Sequence, residues 1–313
     1  MANTFYNAEQ VARTAVALVG QEAYLSGLIS RNFEDDLLGG GGKGRTVNVR
    51  VPATLIARTR GIDDVTSSIV LDELAESTIP ITLGEHIYSA VGLSEGDLSL
   101  NLESFAAQVL KPQTDAVVDR VENEVAEALN AIAVDTTIAW DATNPVATFT
   151  ALRTKLRKNG VPATDLNVVV GADIYAALLE DDAITDVSQS GSTAALRDAG
   201  VGRVRGFNIV ESTRVADGDI IAFHRDAFTL AVRAPKVPEG ASFGSSVSQG
   251  GFSLRYLRDY DVTKTQDRSL VSTFAGVASV PVKKVVRDYT AGTATVVDAP
   301  AAIRVSTTDA EPV

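Results

Sequence analysis

The sequence predicts an α+β protein that needs further surfaces to complete it. Three observations carry this expectation. Within residues 98–133, apolar side chains recur at spacings of three and four, the period of a helix with one buried face. The stretches 45–83 and 252–280 instead alternate apolar and polar residues, the period of strands. Between them, residues 141–251 switch repeatedly between short helical and short strand patterns.

The elements follow in chain order. Residues Asn7–Val19 predict a short helix with Asn7 as N-cap, Gln10 three residues on, and Val11, Ala15, Leu18 and Val19 on one face. Four glycines, Gly39–Gly42, follow the acidic segment 33–38, so the helix reads as an arm on a flexible joint, seeking another subunit's surface. Val47, Val49 and Val51 open a strand expected to run to Arg58, and Ile69–Leu83 supply a second. The polar stretch 59–68 between them makes one long hairpin, a structure that is marginal alone in water. Its tip brings Arg58 and Arg60 close to Asp63 and Asp64, and its second limb carries Glu73 and Glu76; these six are candidate inter-subunit contacts.

In the long helix, Pro112 marks a break or a fresh start near Lys111. Beyond it Val118, Val121, Val125, Leu129 and Ile132 form the expected buried face, with Asp119, Glu122, Asn123, Glu127 and Asn130 on the wet side. Helices are expected at Thr148–Lys158 and Ala172–Leu179. Strands are expected at Leu166–Val170, Phe207–Val210, Asp219–Phe223 and Phe228–Val232. The Ser/Gly-rich stretch Phe243–Gly251 has loop composition. Long strands return at Phe252–Val262 and Ser269–Val280, and the Thr/Ala/Val-rich residues from Val282 on read as an extension.

Composition removes several classes of function. With no cysteine, disulfides, thiolate catalysis, iron–sulfur clusters and cysteine zinc sites are excluded. A net charge of -12 and a pI near 4.7 oppose tight binding to nucleic acid along the chain. The hydrophobic fraction of 45% beside 22% charged residues is that of a globular protein, and no apolar run reaches the length of a membrane span. The N-terminus lacks a signal-peptide layout.

Three motifs match on paper and fail in context. Gly39–Gly44 satisfies GxGxxG, but an acidic segment precedes it and a strand follows, the reverse of a dinucleotide-binding turn. Gly240-Ala241-Ser242-Phe243-Gly244 matches GxSxG without the strand–helix context of a nucleophile elbow. His224-Arg225-Asp226 imitates a kinase triplet, yet position 231 is Ala where an asparagine is required. His86 has no second histidine nearby, and the pairs Asp35-Asp36, Asp63-Asp64 and Asp181-Asp182 read as solvated surface. Trp140 reads as a packing residue. No catalytic, cofactor-binding or metal site is expected, and the chain is not read as an enzyme.

The stretches Val47-Asn48-Val49-Arg50-Val51-Pro52-Ala53, 81–91 and 102–112, set in this order of parts, resemble the major capsid proteins of tailed bacteriophages, whose fold is named after phage Hong Kong 97. The wording is similar to the actinobacteriophage branch related to the coat protein of phage P-twenty-two. The resemblance implies an N-arm at 1–44, an E-loop hairpin at 45–84, and a P-domain at 85–145 with the long helix as spine. It further implies an A-domain at 146–251, P-domain return strands at 252–281 and a C-terminal extension at 282–313. The implied function is a coat protein self-assembling into the icosahedral head shell around double-stranded DNA. Implied partners are its own hexamers and pentamers, a separate scaffolding protein, a portal, a cement or decoration protein, and packaged DNA held without sequence specificity. No membrane is involved; the place is the virion, after assembly in the host bacterial cytoplasm. Some capsids of this fold join an E-loop lysine to a neighbour's asparagine. None of the lysines here lies between Arg45 and Gly84, so no such link is expected. Two rivals remain: an encapsulin-type compartment enclosing cargo protein, and an α/β enzyme using the 141–251 segment.

Overall fold

The computed structural model describes residues 8–22, 24–31, 46–51, 53–66, 68–71, 74, 77–94, 105–181, 184, 201–241, 243–249, 252–288 and 293–307. The chain divides into two compact units: Met1–Val47, Ile81–Leu129 and Phe228–Ala278 form the first; Asn48–Pro80, Asn130–Ala227 and Ser279–Val313 form the second.

The first unit is a sheet with two helices. Strands β3 (Glu85–Ser94), β8 (Phe228–Arg233), β9 (Phe243–Gln249), β10 (Phe252–Asp261) and β11 (Gln266–Ser279) form it in the order β3-β11-β10-β9, with β8 also on β11. The three pairings along this path are antiparallel, with Leu254 opposite Val247, Leu257 opposite Leu270, and Ser272 opposite Tyr88. Helix α1 (Ala8–Glu22) lies against β9 and β10 and buries Val11, Ala12, Ala15 and Val16. The arm helix thus covers its apolar face with its own chain, contrary to the expectation of a foreign surface. Ser30 continues the attachment, pairing in parallel with Thr229 on β8, and the Arg31 guanidinium sits 5.1 Å above the Phe252 ring. The glycines Gly39–Gly42 lie outside the described residues.

Helix α2 (Lys111–Asn130) is preceded directly by a π-helical turn, Ala106–Leu110. Pro112 lacks an N–H and its ring crowds the carbonyl one turn back, so a widened turn there relieves the clash without breaking the chain's course. Gln113, nearly fully buried, ties this start to the sheet. Its amide nitrogen donates to the carbonyls of Ser89 (3.2 Å) and Ser269 (3.0 Å), and its oxygen accepts from Ser269 Oγ (2.7 Å).

Two further expectations change here. Phe243–Gln249 is strand β9, not a loop. Its small residues serve close packing: a Cβ on Gly244 would meet Leu257 Cδ2 at 2.5 Å and Val237 at 2.9 Å. Because β8 and β9 hydrogen-bond into the β10–β11 sheet, the unit boundary falls at Ala227 and not at Gly251. Likewise α2 ends the first unit at Leu129, and residues 130–145 belong with the second.

The second unit is a mixed sheet flanked by helices. Helix α3 (Pro145–Lys158) starts at an N-cap, Asn144, whose side chain accepts from Ala147 N at 3.2 Å, with Pro145 pre-set in the first turn. Strand β4 (Leu166–Val170) is buried along its whole length and leads through Gly171 into α4 (Ala172–Glu180). A side chain at Gly171 would place Cβ only 2.2 Å from the Ala216 carbonyl, so only glycine fits this turn. Strands β5 (Arg203–Val204), β6 (Phe207–Glu211) and β7 (Asp219–His224) complete the inner sheet, with β6 parallel and β7 antiparallel to β4.

Most of the described residues from 282 to 306 form strands, where an extension was expected. Strands β12 (Val282–Asp288) and β13 (Thr293–Ala299) pair with each other, and β14 (Ala302–Ser306) joins β7, giving the order β14-β7-β4-β6-β5. Ile303 and Val305 are buried there. Arg304 bonds Asp219, itself buried, through Nε at 2.9 Å and a second nitrogen at 2.6 Å, and donates to the Asn130 carbonyl at 2.6 Å. The extension reading rested on Thr/Ala/Val composition, which suits an edge strand equally well.

Of the long hairpin, β1 (Thr46–Val51) and β2 (Ser77–Thr82) pair, and the described residues from 53 to 74 carry no strand. Both limbs are therefore shorter in ladder than the alternation implied.

Candidate inter-subunit surface

The charged residues expected at the hairpin tip divide by role. Arg58, Arg60 and Asp63 are exposed. Asp64 is half-buried and engaged: its N–H donates to the Gly61 carbonyl (3.2 Å), and its Oδ1 accepts from Thr66 N (2.9 Å) and Thr66 Oγ1 (2.8 Å). That carboxylate shapes the turn, which is the usual local use of Asp after Gly. Glu73 and Glu76 lie outside the described residues.

The stronger signal on this segment is apolar. Leu55, Ile62, Val65, Ile69, Val70, Leu71 and Leu74 are all exposed, with Ile62, Val65 and Leu71 at 87% or more of full accessibility. Burying one such side chain is worth about 1.5–3 kcal/mol, so a row of seven is a large unsatisfied surface for one chain. The sequence already points to a hairpin with an apolar face that its own chain leaves uncovered, and the structure shows which side chains carry it. The clue was their persistence through a polar, turn-rich stretch.

The spine positions Val118, Val121, Val125 and Leu129 are buried, so this face of α2 packs inside its own unit. Ile132 stands past the helix end and is half-buried. The helix stops because the Asn130 carbonyl is taken by Arg304, from a strand over a hundred residues away, a partner invisible to periodicity. Glu122, expected on the wet side, is buried at 2% exposure; its carboxylate accepts the backbone N–H groups of Leu25 (2.6 Å) and Ser26 (3.1 Å).

On the exposed face of α2, Arg120 gathers Glu85 (3.0 Å), Glu124 (2.5 Å) and Glu127 (2.9 Å). Hydrogen bonding to that guanidinium, then its charge, holds the Glu85 carboxyl below its ordinary range, whereas burial pushes Glu124 up. On β10–β11, Arg258 pairs with Asp267 and Arg268 with Asp259 across the ladder. Exposed pairs of this kind set register more than stability.

The motif residues take ordinary structural places. His224 is buried at a strand end; its Nδ1 accepts from Asp226 N at 3.1 Å. His86 lies 5.2 Å from the Phe274 ring and 5.5 Å from the Tyr88 ring. Gly244 belongs to β9, and Ser242 lies outside the described residues. Among the described residues, no group of three His, Asp or Glu could hold a metal, and no helix is long and apolar enough to cross a membrane.

What this arrangement can do is join to copies of itself, and the comparisons with known proteins agree. A family model described as phage capsid protein matches residues 97–273, more than half of the chain. The chain belongs to the phage capsid protein family. This capsid protein is similar in structure to a chain from Mycobacterium phage Che8, at 18% identity and a TM-score of 0.60, covering 91% of this chain and 92% of that one. It is similar to the capsid of cyanophage P-SCSP1u at 11% identity and TM-score 0.57, covering 84% of each. It also matches a virus-like particle from Pyrococcus furiosus at 14% identity and TM-score 0.50, covering 95% of this chain and 98% of that one. No curated protein matches the sequence. The capsid protein has the Hong Kong 97-like fold and is a major shell protein of the virion, assembling with its own copies. Its family is one of structural capsid proteins.

Proposed function

We propose that this capsid protein tiles an icosahedral head as hexamers and pentamers, with residues 48–80 acting as an E-loop that covers a neighbouring subunit. The exposed apolar row from Leu55 to Leu74 carries this reading, because a second copy is the surface most abundantly available to it. In this reading the first unit is the P-domain, with α2 as its spine, and the second holds the A-domain. Arg58, Arg60 and Asp63 contact the neighbour from the tip, and Glu73 and Glu76 from the second limb. The further partners are a scaffolding protein, a portal, a cement or decoration protein and double-stranded DNA packaged without sequence readout. A net charge of -12 suits a wall that must release DNA again. Assembly takes place in the host bacterial cytoplasm, and no catalytic step is required.

Reversing Arg60 to Glu tests the contact. Particle yield in negative-stain microscopy should fall while the subunit's melting temperature stays within about 2 °C of wild type, as for an exposed charge. A lowered melting temperature with unchanged yield would place the tip against its own subunit. Genome-filled particles from infected cells support the phage head, and particles holding only cargo protein support the encapsulin rival.

The shell is held without covalent links. The hairpin carries arginines, whose guanidinium is a poor nucleophile, and no lysine. Boiled particles should run on a denaturing gel as one band near 32.9 kDa. A ladder of multimers would overturn this, and Lys43 would be the first residue to replace.

A further inference from the structure

Where the hairpin returns to the first unit, residues of β3, β9, β11 and the segment after β8 enclose an open hollow of about 680 Å³. Leu83, Val237 and Phe274 supply apolar wall, and Glu85, His86, Arg233 and Lys236 supply the ionisable lining. Glu85, the one acid among the lining residues, is already 3.0 Å from Arg120. Lys236 makes no ion pair among the described residues.

Behind this wall stands a buried cation. Arg255 on β10 is 8% exposed and lies opposite Ser246, a lining residue, in the β9–β10 register. It donates to Ser272 Oγ (3.1 Å) and to the carbonyl of Lys236 (3.0 Å). Among the described residues, its partners are a hydroxyl and a carbonyl; no carboxylate neutralises it. A desolvated guanidinium attracts an incoming anion far more strongly than an exposed one does. In a chain of net charge -12, this cationic hollow is a local reversal of sign.

We propose that the hollow is a socket for the limb Leu71-Asp72-Glu73-Leu74-Ala75-Glu76 of another copy's hairpin. The inference rests on the shell reading above and adds the contact that reading leaves unnamed. Both kinds of complementarity favour this occupant. Leu71 and Leu74 are 87% and 72% exposed and match the apolar wall, and the limb's carboxylates meet Lys236 and the charge of Arg255. The volume is several times that of one side chain, so the socket takes a short segment and not a lone ion.

His86 reports occupancy. Burial, then the charge of Arg255, holds its imidazole below the ordinary range. The groups around it are Glu85 and Tyr88 on its own strand, Arg255 on β10, Arg233 at the end of β8 and Lys236 after it. Carboxylates entering the socket oppose the effect of Arg255, so the His86 titration moves up on binding, and binding tightens as pH falls through that titration.

The probe is a synthetic peptide of residues 69–76 added to unassembled full-length subunits. Wild type should bind it, with an upward shift of the His86 resonance titration. Lys236→Glu, at an exposed position, should bind about tenfold more weakly with an unchanged melting temperature. In assembly, Lys236→Glu and Glu73→Lys should each lower particle yield, and the two together should recover it. Equal peptide binding by wild type and Lys236→Glu, no movement of His86, or no recovery in the double variant would each overturn the socket. So would a short DNA duplex binding the hollow in place of the peptide. Wild-type shells forming normally alongside any of these results would leave the shell reading intact; failure of the wild type to form particles at all would count against that reading instead.

Discussion

Val121→Asp and Val125→Asp should each yield insoluble or unassembled subunits. Both valines are 1% exposed on the inner face of α2, where an aspartate would lose its water. Burying an unpaired carboxylate there costs about 4 kcal/mol or more, against a total stability of about 5–15 kcal/mol for an ordinary domain. Val121→Ala separates charge from volume: losing two methyl groups leaves a small cavity and costs about 1–3 kcal/mol, so this variant should still fold. Soluble expression and a thermal melt give the reading. If the aspartates behave like the alanine, the inner face of α2 is wet in solution and its packing in the first unit is wrong.

Glu122→Ala should destabilise the subunit by about 3 kcal/mol, a large effect for a charged helix position. The carboxylate is the acceptor for two adjacent backbone N–H groups, those of Leu25 and Ser26, in the turn that follows α1. Removing it strands two buried donors. Glu122→Gln keeps one oxygen but turns an N–H₂ toward a donor, so its cost should fall between wild type and alanine. A nearly silent Glu122→Gln is what helical periodicity alone predicts, and the structure revises that expectation. Hydrogen exchange at Leu25 and Ser26 localises the effect: their protection should drop in both variants, more in alanine. Unchanged protection with a lowered melt would show that Glu122 acts through packing and not through this bond pair.

The two predictions mark where sequence patterns stop being informative. Val121 and Glu122 are neighbours on one helix, and a period of 3.6 assigns the first inward and the second outward. The periodicity describes a helix against one flat surface. Here a second surface, the turn at Leu25–Gly27, covers the adjacent flank and supplies the donors that make a buried carboxylate tolerable. Its residues lie about a hundred positions upstream, so no local window contains both partners.

The same contrast runs through the rest of the molecule. The strand Leu166–Val170 and the helix start at Lys111 were legible because each depends on residues within a few positions, whereas the helix expected from Thr148 begins three residues earlier, at the Asn144 cap and Pro145. Phe243–Gln249 and Ala302–Ser306 were not legible, because their Ser, Gly and Ala content is neutral until a neighbouring strand is known. That the hairpin leaves apolar surface uncovered was legible, but not which of its side chains do so. An apolar residue near a strand is buried far more often than not, and only coordinates show that Ile62 and Leu71 face solvent.

By itself the sequence determined an α+β chain with a long hairpin, a spine helix with one inner face and no chemistry-bearing constellation, and its order of parts pointed to a coat protein. These depend on local spacing and on composition, which are properties of the chain read in one dimension. The tertiary structure decided that the N-terminal helix covers itself, that the last strand edges the second sheet through Arg304 and Asp219, and that Arg255 stands buried without a carboxylate behind a cationic hollow. Each of those joins residues far apart in the chain, and their energies come from which groups leave water together, a quantity that exists only once the chain has closed on itself.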